Sequence, residues 1–277
     1  MRPLWALLGQ RLGWADPRPR LRRITSMLLL LGLLSPGAAR AQAAPGFDCE
    51  ALYESGDYTA AIQCLQTLES QGNHNGHLLY NLGNAWLREG NTGQAVLAYR
   101  RALLFLPRDG DLRANLKTAR ERARDDLEPA DVRGPLARTL LAPYDSLSSS
   151  ELLLLGAAAW ALCFLLLTIR RLRQAEGLGA VAAGLALIAV LGLAGHFVRS
   201  YQQEARPIVV VLAEEVTLRS GRDLRSVELA RLHAGAELKA LEQGSDWIQV
   251  LLSSGQRGWL PASELGLVRP ITQAEQR

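Results

Sequence analysis

The sequence predicts a multidomain protein that combines an all-α domain of helical hairpins, a transmembrane α-hairpin and a small all-β barrel. Three observations lead to this prediction. A helical pattern repeats after 34 residues in the first half of the chain, two long apolar runs follow, and the C-terminal part alternates short apolar runs with turn residues. With 277 residues, the chain is long enough for these parts to be separate domains.

The N-terminal segment is strongly basic and contains a short apolar run. Residues 1–41 carry seven arginines and one acidic residue, Asp16, so their net charge is +6, whereas the whole chain has +4. The basic stretch precedes MLLLLGLL and a small-residue site that ends at Ala41. This order predicts a signal peptide over residues 1–41, and the alternative is an uncleaved anchor. The remaining chain has a net charge of −2, which gives no indication of nucleic-acid binding.

Residues 45–127 contain an internal repeat of helical hairpins. The segment ALYESGDYTAAI aligns with AWLREGNTGQAV, 34 residues further on, which pairs Gly56 with Gly90. This period is typical of tetratricopeptide repeats. The second copy has the residues of that pattern at Leu79, Leu82, Gly83, Trp86, Ala95, Tyr99, Ala102 and Pro107. The chain thus resembles the tetratricopeptide family here, and we predict such a domain over 45–127, ending in a capping helix.

The resemblance to tetratricopeptide repeats implies a peptide-binding concave face, formed by the first helix of each pair. Six polar residues are expected on that face: Tyr80, Asn81, Asn84, Arg88, Asn115 and Arg122. Asparagine amides can pair with an extended peptide backbone, and arginine can pair with a carboxylate. The alternative is that these side chains form an ordinary solvated surface.

The chain has three cysteines. Cys49 and Cys64 fall on the two helices of the first hairpin, and an exported domain would meet an oxidising environment. A disulfide between them would close a loop of about 15 residues and contribute about 3 kcal/mol in the chain-entropy model. The alternative is two buried, small hydrophobic side chains. Cys163 falls within an apolar run, where we expect it to act as an apolar side chain.

Residues 151–169 and 178–198 are predicted to be transmembrane helices. They contain runs of 18 and 21 residues without Asp, Glu, Lys or Arg, and a helix of this length crosses about 30 Å of hydrocarbon. The loop at 170–177 is rich in arginine, which favours the cytoplasmic side. The sequence therefore predicts a bacterial inner-membrane protein with two spans, a short cytoplasmic loop and periplasmic soluble domains.

The segment that precedes the first apolar run contains Pro and Ser residues. We predict a linker over residues 128–150. At its end, Ser148 and Glu151 have the spacing of a capping box, which predicts that the first apolar helix begins there.

Residues 208–268 change to short runs with a two-residue alternation. Five predicted strands, IVVVL, EEVTLRSG, ELKALEQ, DWIQVLL and RGWLP, are separated by glycine-containing turn signals. The Arg-Ser-Gly that ends EEVTLRSG, a glycine before the third strand, Trp247 and the Gly258–Trp259 pair resemble bacterial SH3-like domains, although Arg222-Asp223 stands where that family usually has a proline. The resemblance implies a small barrel that binds cell-wall peptides or protein segments. Trp247 and Trp259 either form a ligand platform or close the barrel core, and we expect them in the core.

The sequence lacks the motifs of common catalytic sites. It contains no phosphate-binding loop ending in Gly-Lys-Ser/Thr, no Gly-x-Ser-x-Gly and no His-Glu-x-x-His. Its four histidines are scattered, and His74 and His77 have no cysteine nearby. We therefore predict a protein that is not an enzyme and that uses no cofactor and no metal.

The order of these parts resembles the repeat-containing E proteins of the bacterial aerotolerance (Bat) operon, from residue 47 to residue 268. The segments LYESGDYTAAI and LYNLGNAWLREGNTGQAVLAYRRALLFLP carry most of this resemblance. It implies a non-catalytic inner-membrane adaptor in an assembly with von Willebrand A-type membrane proteins and a MoxR-class ATPase, with a role in oxidative-stress tolerance or envelope protein maintenance. Two alternatives are an envelope scaffold that binds peptidoglycan through the SH3-like domain and an accessory subunit of a biosynthetic complex.

Overall fold

The computed structural model describes residues 48–73, 75–125, 134–174 and 177–269. The predicted signal peptide at residues 1–41 lies outside these ranges. The described chain begins with short helices, continues through two long apolar helices and ends in an antiparallel sheet. The predicted order of an all-α part, an apolar helical hairpin and an all-β part is therefore confirmed.

The N-terminal helical domain consists, in the described chain, of five helices. They are α1 (Cys49–Glu54), α2 (Tyr58–Ser70), α3 (Gly76–Glu89), α4 (Thr92–Leu103) and α5 (Gly110–Arg122). Each helix is preceded by an Asp or Asn whose side chain accepts a hydrogen bond from a first-turn N–H, which lacks a partner within the helix. These N-cap residues are Asp48, Asp57, Asn75, Asn91 and Asp109.

Consecutive helices pack as antiparallel neighbours because the connections between them are short. Small residues allow the close approach. A Cβ atom on Gly83 of α3 would lie 2.5 Å from the ring of Tyr99 on α4, so the absence of a side chain lets this ring rest on the α3 backbone. The repeat in the sequence thus corresponds to two packed helix pairs, α1 with α2 and α3 with α4.

The first helix pair contains a disulfide. Cys49 of α1 is bonded to Cys64 of α2, with 5.6 Å between their Cα atoms. Both cysteines belong to a buried core that also contains Ile62, Leu65 and Leu78. The bond therefore joins two helices that already share apolar contacts with α3.

The predicted linker at 128–150 contains a helix, α6 (Pro135–Asp145). A linker is therefore the wrong prediction for this part. The proline that suggested a loop occupies the start of the helix, where its missing N–H costs nothing. Residues 146–148 connect α6 to the next helix, α7 (Ser149–Arg173), and the predicted capping box of Ser148 and Glu151 is confirmed.

Helix α7 forms a hairpin with α8 (Leu178–Ala205). Both helices are long and apolar enough to cross a membrane, and only 22% and 11% of their most apolar segments are buried. They approach closely where a Cβ atom on Gly192 would lie 3.0 Å from the Gly156 backbone. Buried Cys163 of α7 contacts the carbonyl of Ala182 on α8, with 3.3 Å from Sγ to the oxygen.

The C-terminal part is an antiparallel sheet of seven described strands in the order β3-β2-β6-β5-β4-β1-β7. The strands are β1 (Ile208–Val211), β2 (Glu215–Arg219), β3 (Glu228–His233), β4 (Glu237–Gln243), β5 (Trp247–Leu251), β6 (Arg257–Pro261) and β7 (Leu265–Val268). The five-strand prediction missed β3 and β7, which form the two ends of the sheet. Leu232 of β3 and Leu265 of β7 nevertheless share one core, so the sheet curves around it.

Strand β1 is buried on both of its faces. Val209 and Val211 lie in the core of the sheet, whereas Val210 packs with Leu97 and Tyr99 of α4. This division follows from the alternation of side chains along a strand. The sheet and the helical domain therefore share a second apolar core instead of forming two separate modules.

Candidate functional site

The outer surface of β5 and β6 carries two half-buried tryptophans, Trp247 and Trp259. The core of the sheet is built from aliphatic side chains, among them Ile248, Val250 and Leu260. Because neighbouring residues on a strand point to opposite faces, the tryptophans lie on the outside. This placement corrects our expectation that they close the core. We call the outward surface around Trp247 and Trp259 the tryptophan face.

Trp259 lies between two neighbouring strands. Its backbone is paired with Gln249 of β5 and with Arg219 of β2. The guanidinium carbon of Arg222 lies 4.0 Å from the centroid of the Trp259 ring, a cation–π arrangement. Arg222 also forms an ion pair with Glu242. The sequence analysis missed this role of Arg222, since spacing alone does not show that its loop folds over β6.

The tryptophan face offers two kinds of contact to a ligand. Partly exposed indole rings provide apolar area and lose little conformational entropy when they bind. Arg222 adds donors that can reach carbonyl or carboxylate oxygens. This combination suits an extended peptide segment with both apolar and acidic or carbonyl groups.

A polar cluster connects three helices of the helical domain. Asn84 Oδ1 accepts hydrogen bonds from Tyr99 Oη at 2.8 Å and from Asn115 Nδ2 at 2.9 Å. Asn115 Nδ2 also lies 2.9 Å from Tyr80 Oη and donates to it. We call Tyr80, Asn84, Tyr99 and Asn115 the polar cluster. Three of the six residues expected on a peptide-binding face thus bond to one another within the domain.

The polar cluster is partly withdrawn from water. Burial is the largest cause that raises the pKa of Tyr99 far above its usual value. The Tyr99 hydroxyl therefore stays protonated under ordinary conditions and remains a donor to Asn84.

The other three residues expected on the peptide-binding face are exposed. Asn81 lies on α3. A hydrogen bond with the side chain of Tyr53 raises the pKa of Arg88 above its usual value. The Arg122 guanidinium donates to the carbonyl of Leu87, 3.3 Å away. The accessible part of the expected site therefore consists of Asn81, Arg88 and Arg122.

The seam between the helical domain and the sheet contains buried charge. Glu237 of β4 has a fully buried side chain that pairs with Arg100 of α4 and Arg120 of α5. Nearby, Asp125 accepts from the backbone N–H of His233 at 2.6 Å, and its other oxygen lies 3.1 Å from His233 Nδ1. These polar contacts surround the shared apolar core and fix the orientation of the sheet on the helices.

A cleft of about 630 Å³ lies beside this seam. Residues from both domains line it, including Trp86, Arg122, Arg124, Glu214 and His233. The cleft adjoins Arg122, so it brings one residue of the expected peptide site next to the sheet.

Residues 214–266 match the family model of the bacterial SH3 domain. This part of the sheet is a bacterial SH3 domain. The tryptophan face, including Arg222, lies within the matched residues, and the family indicates a protein- or peptidoglycan-binding role. A search of curated proteins finds no match to the chain.

The SH3 domain uses different parts of its outer surface for different contacts. Strands β1, β4 and β7 face the helical domain through Val210, Glu237 and Val268. Strands β5 and β6 carry the tryptophan face on another part of the sheet. Docking on the helices therefore leaves the tryptophans accessible.

The described ranges contain no candidate metal site. No group of three or more His, Cys, Asp or Glu residues there could hold a metal ion. His77 is exposed, and His74 lies outside the described residues.

Proposed function

We propose that the protein is a non-catalytic, membrane-anchored adaptor that binds partner segments through its SH3 domain and its helical domain. The observation that supports this proposal best is the tryptophan face, where Trp259 is stacked under Arg222 and is only partly buried. A large aromatic side chain on the outside of a small domain is typical of a binding surface. The docked helical domain contacts another part of the sheet and leaves this surface open.

The helical domain acts as a short tetratricopeptide-type array in this proposal. Its support is the 34-residue period together with the close packing of Gly83 against Tyr99. Asn81, Arg88 and Arg122 form the accessible part of its peptide-binding surface. Since α3, α4 and α5 are tied by the polar cluster, this surface is held rigid before a peptide binds.

The anchor is the hairpin of α7 and α8, which crosses the bacterial inner membrane. Its largely exposed apolar surface is unlike that of the core helices of a soluble protein. The Arg170, Arg171 and Arg173 side chains place the turn in the cytoplasm. A signal peptide and the disulfide of Cys49 and Cys64 agree with export of the soluble domains to the oxidising periplasm.

Both soluble domains contact the same end of the hairpin. Arg108, between α4 and α5, donates to the carbonyl of Ser146 at 3.2 Å and pairs with Glu151 at the start of α7. On the SH3 domain, Gln243 Nε2 donates to the carbonyl of Glu204 near the end of α8, 2.9 Å away. One compartment therefore contains both binding surfaces.

The resemblance to the aerotolerance E proteins suggests the partners. They are von Willebrand A-type membrane proteins and a MoxR-class ATPase, in an assembly for oxidative-stress tolerance or envelope protein maintenance. The bacterial SH3 domain equally supports a second function, a scaffold that binds peptidoglycan through the tryptophan face.

The test compares Trp259→Ala with Trp160→Ala in the full chain. Trp160 serves as the control for the loss of an aromatic ring. It is 48% exposed and lies on α7, outside the SH3 domain. We expect Trp259→Ala to reduce crosslinking to partner proteins in cells, without a change in thermal unfolding. Equal crosslinking by both variants and the wild type would refute a binding role for the tryptophan face.

Sedimentation with purified cell-wall sacculi separates the two functions. Retention of the wild type that is lost in Trp259→Ala would favour the peptidoglycan scaffold. A protein adaptor predicts a different result. Crosslinking to partner proteins should depend on Trp259, while sacculi should retain neither the wild type nor Trp259→Ala.

Reporter fusions test the orientation of the anchor. Alkaline phosphatase is expected to be active when fused after Gly134 or Arg277 and inactive when fused at Gln174. Activity at Gln174 would show that the turn of the hairpin faces the periplasm and would reverse the proposed topology.

A further inference from the structure

Helix α6 carries leucines that are unusually exposed. Leu136, Leu140 and Leu141 are 74%, 69% and 40% exposed. Residues four apart lie on the same side of a helix, so Leu136 and Leu140 form one apolar stripe, with Leu141 at its flank. Such a patch on a short helix marks a contact surface.

The end of α6 is fixed to the membrane hairpin. The Tyr144 hydroxyl donates to the carbonyl of Gly195 on α8 at 3.0 Å. Arg199 of α8 donates to the carbonyl of Tyr144 at 2.8 Å, and its guanidinium carbon lies 4.3 Å from the Tyr144 ring centroid. Arg199 thus adds a side-chain donor to a carbonyl at the C-terminus of α6 that also accepts from the backbone N–H of Leu147. These contacts hold α6 against the outer end of the hairpin.

The leucine stripe lies on the side of α6 that meets the hairpin. Tyr144 follows Leu140 by four residues and therefore shares its side of the helix. Arg138 and Asp145 occupy the opposite side. The helix is thus divided into an apolar half next to the hairpin and a polar half away from it.

The neighbouring surface of α7 identifies what covers this stripe. Leu153, Leu154 and Leu155, in the first turns of α7, are 42%, 68% and 51% exposed. If α7 crosses a membrane, these side chains contact lipid. Because α6 ends at Asp145, shortly before α7 begins at Ser149, and is bonded to α8 through Tyr144, its leucines belong to the end of the hairpin where these exposed side chains begin.

We propose that α6 lies in the lipid interface of the outer leaflet of the membrane that α7 and α8 cross, with Leu136, Leu140 and Leu141 among the acyl chains. This inference rests on the proposed membrane crossing. Amphipathic helices of this kind insert their apolar face about 5–10 Å into the headgroup boundary. Tyr144 and Arg199 are residue types that settle at this depth, since each combines an apolar body with a polar end.

The interfacial helix fixes the height of the binding surfaces above the membrane. Arg108 of the helical domain contacts Ser146, the residue that directly follows α6. The helical domain therefore rests on a support that is itself held at the lipid surface. A partner in the same membrane would meet the tryptophan face at a defined distance from the bilayer.

Spin-label accessibility in the full chain tests this inference. Single cysteines replace Leu140 or Ala142 in a Cys163→Ala background, under conditions that keep the Cys49–Cys64 disulfide intact. Ala142 is an exposed small residue about 200° around the helix from Leu140, which makes it the matched control. Leu165→Cys on α7 and Val190→Cys on α8, both at exposed apolar positions, report on the hairpin itself. The protein is reconstituted in vesicles of phosphatidylethanolamine and phosphatidylglycerol.

The measured quantity is the ratio of a label's accessibility to oxygen over its accessibility to a water-soluble nickel chelate. We expect this ratio to be several-fold higher for the label at Leu140 than for the label at Ala142. Labels at Leu165 and Val190 should favour oxygen at least as strongly. If those two lie in lipid while Leu140 and Ala142 respond equally to the chelate, the interfacial helix is refuted and the membrane crossing stands. If Leu165 and Val190 are themselves open to the chelate, both the crossing and the interfacial helix are wrong.

Discussion

The carboxylate of Glu237 on β4 accepts a 2.6 Å hydrogen bond from Nε of Arg120 on α5, and the Glu237 side chain is fully buried. The two residues are separated by 117 positions in the chain and belong to different domains. Arg100 of α4 pairs with the second oxygen of the same carboxylate. A buried carboxylate between two guanidinium groups is costly to form and more costly to disrupt, because its partners have already lost much of their hydration.

Replacement of Glu237 by Gln should therefore destabilise the protein strongly. The amide keeps the shape of the side chain but removes the negative charge, and we expect a loss of about 3–5 kcal/mol in the free energy of unfolding. Urea unfolding of the full chain in detergent measures this loss. Glu242→Gln, which alters an exposed pair with Arg222, should change the free energy of unfolding by less than about 1 kcal/mol. Equal effects of the two variants would show that the seam is not held by its buried charge.

The close approach of α4 to β1 predicts a cost for a single added methyl group. A Cβ atom on Gly93 would lie 2.8 Å from the backbone oxygen of Val211, which cannot move aside like a flexible side chain. We expect Gly93→Ala to lower stability by about 1–3 kcal/mol through overpacking. Gly110, also in the first turn of a helix, has open space around its Cβ position, so Gly110→Ala should be neutral or slightly stabilising. Thermal unfolding of both variants measures whether the close approach of α4 to β1 excludes a side chain at position 93.

The polar cluster predicts different effects for two asparagines on α3. Asn84→Ala removes the acceptor for the buried Tyr99 hydroxyl, whereas Asn115 keeps its bond to Tyr80, so we expect a loss of about 1–3 kcal/mol. Asn81→Ala changes an exposed side chain and should leave the free energy of unfolding near that of the wild type. Asn81 is consequently the better position for testing peptide binding. A neutral Asn84→Ala would mean that the cluster contributes little to the fold.

The raised pKa of Tyr99 predicts that the protein loses stability at high pH. Burial raises its pKa in the folded state, so the folded protein favours the protonated hydroxyl. This contribution is fully present below about pH 10, the pKa of an unfolded tyrosine, and is lost as the pH rises from there towards the raised folded value. Urea midpoints measured against pH should fall more steeply above that point in the wild type than in Tyr99→Phe. Parallel curves would indicate that Tyr99 titrates normally.

The disulfide of the first helix pair should be worth about 3 kcal/mol, the expectation for a loop of about 15 residues. The double variant Cys49→Ala/Cys64→Ala should unfold at a correspondingly lower urea concentration. Wild-type protein treated with reductant provides the control and should match the double variant. A reductant-insensitive unfolding curve would argue that the bond does not form in the protein.

Patterns among residues close together in the sequence predict much of this fold. The Ser148–Glu151 spacing predicted a capping box, because such a motif involves residues only three positions apart. The apolar runs of α7 and α8 were evident from length and composition, and the small Gly83 indicated a helix crossing. The structure brings Tyr80, Asn84 and Asn115 together, but the sequence could not show that they bond to one another.

The sequence by itself determined the helical hairpins, the apolar hairpin and five of the seven described strands, since each depends on periodicity or on residues close together in the chain. Tertiary structure decided that β1 is buried on two faces, that Glu237 meets Arg100 and Arg120, and that Trp259 lies outward beneath Arg222. Alternation along a strand separates its two faces but does not say which face meets water when both carry apolar residues. Only the docking of one domain on the other resolves that choice for β1, whereas the core of the sheet itself turns the two tryptophans outward.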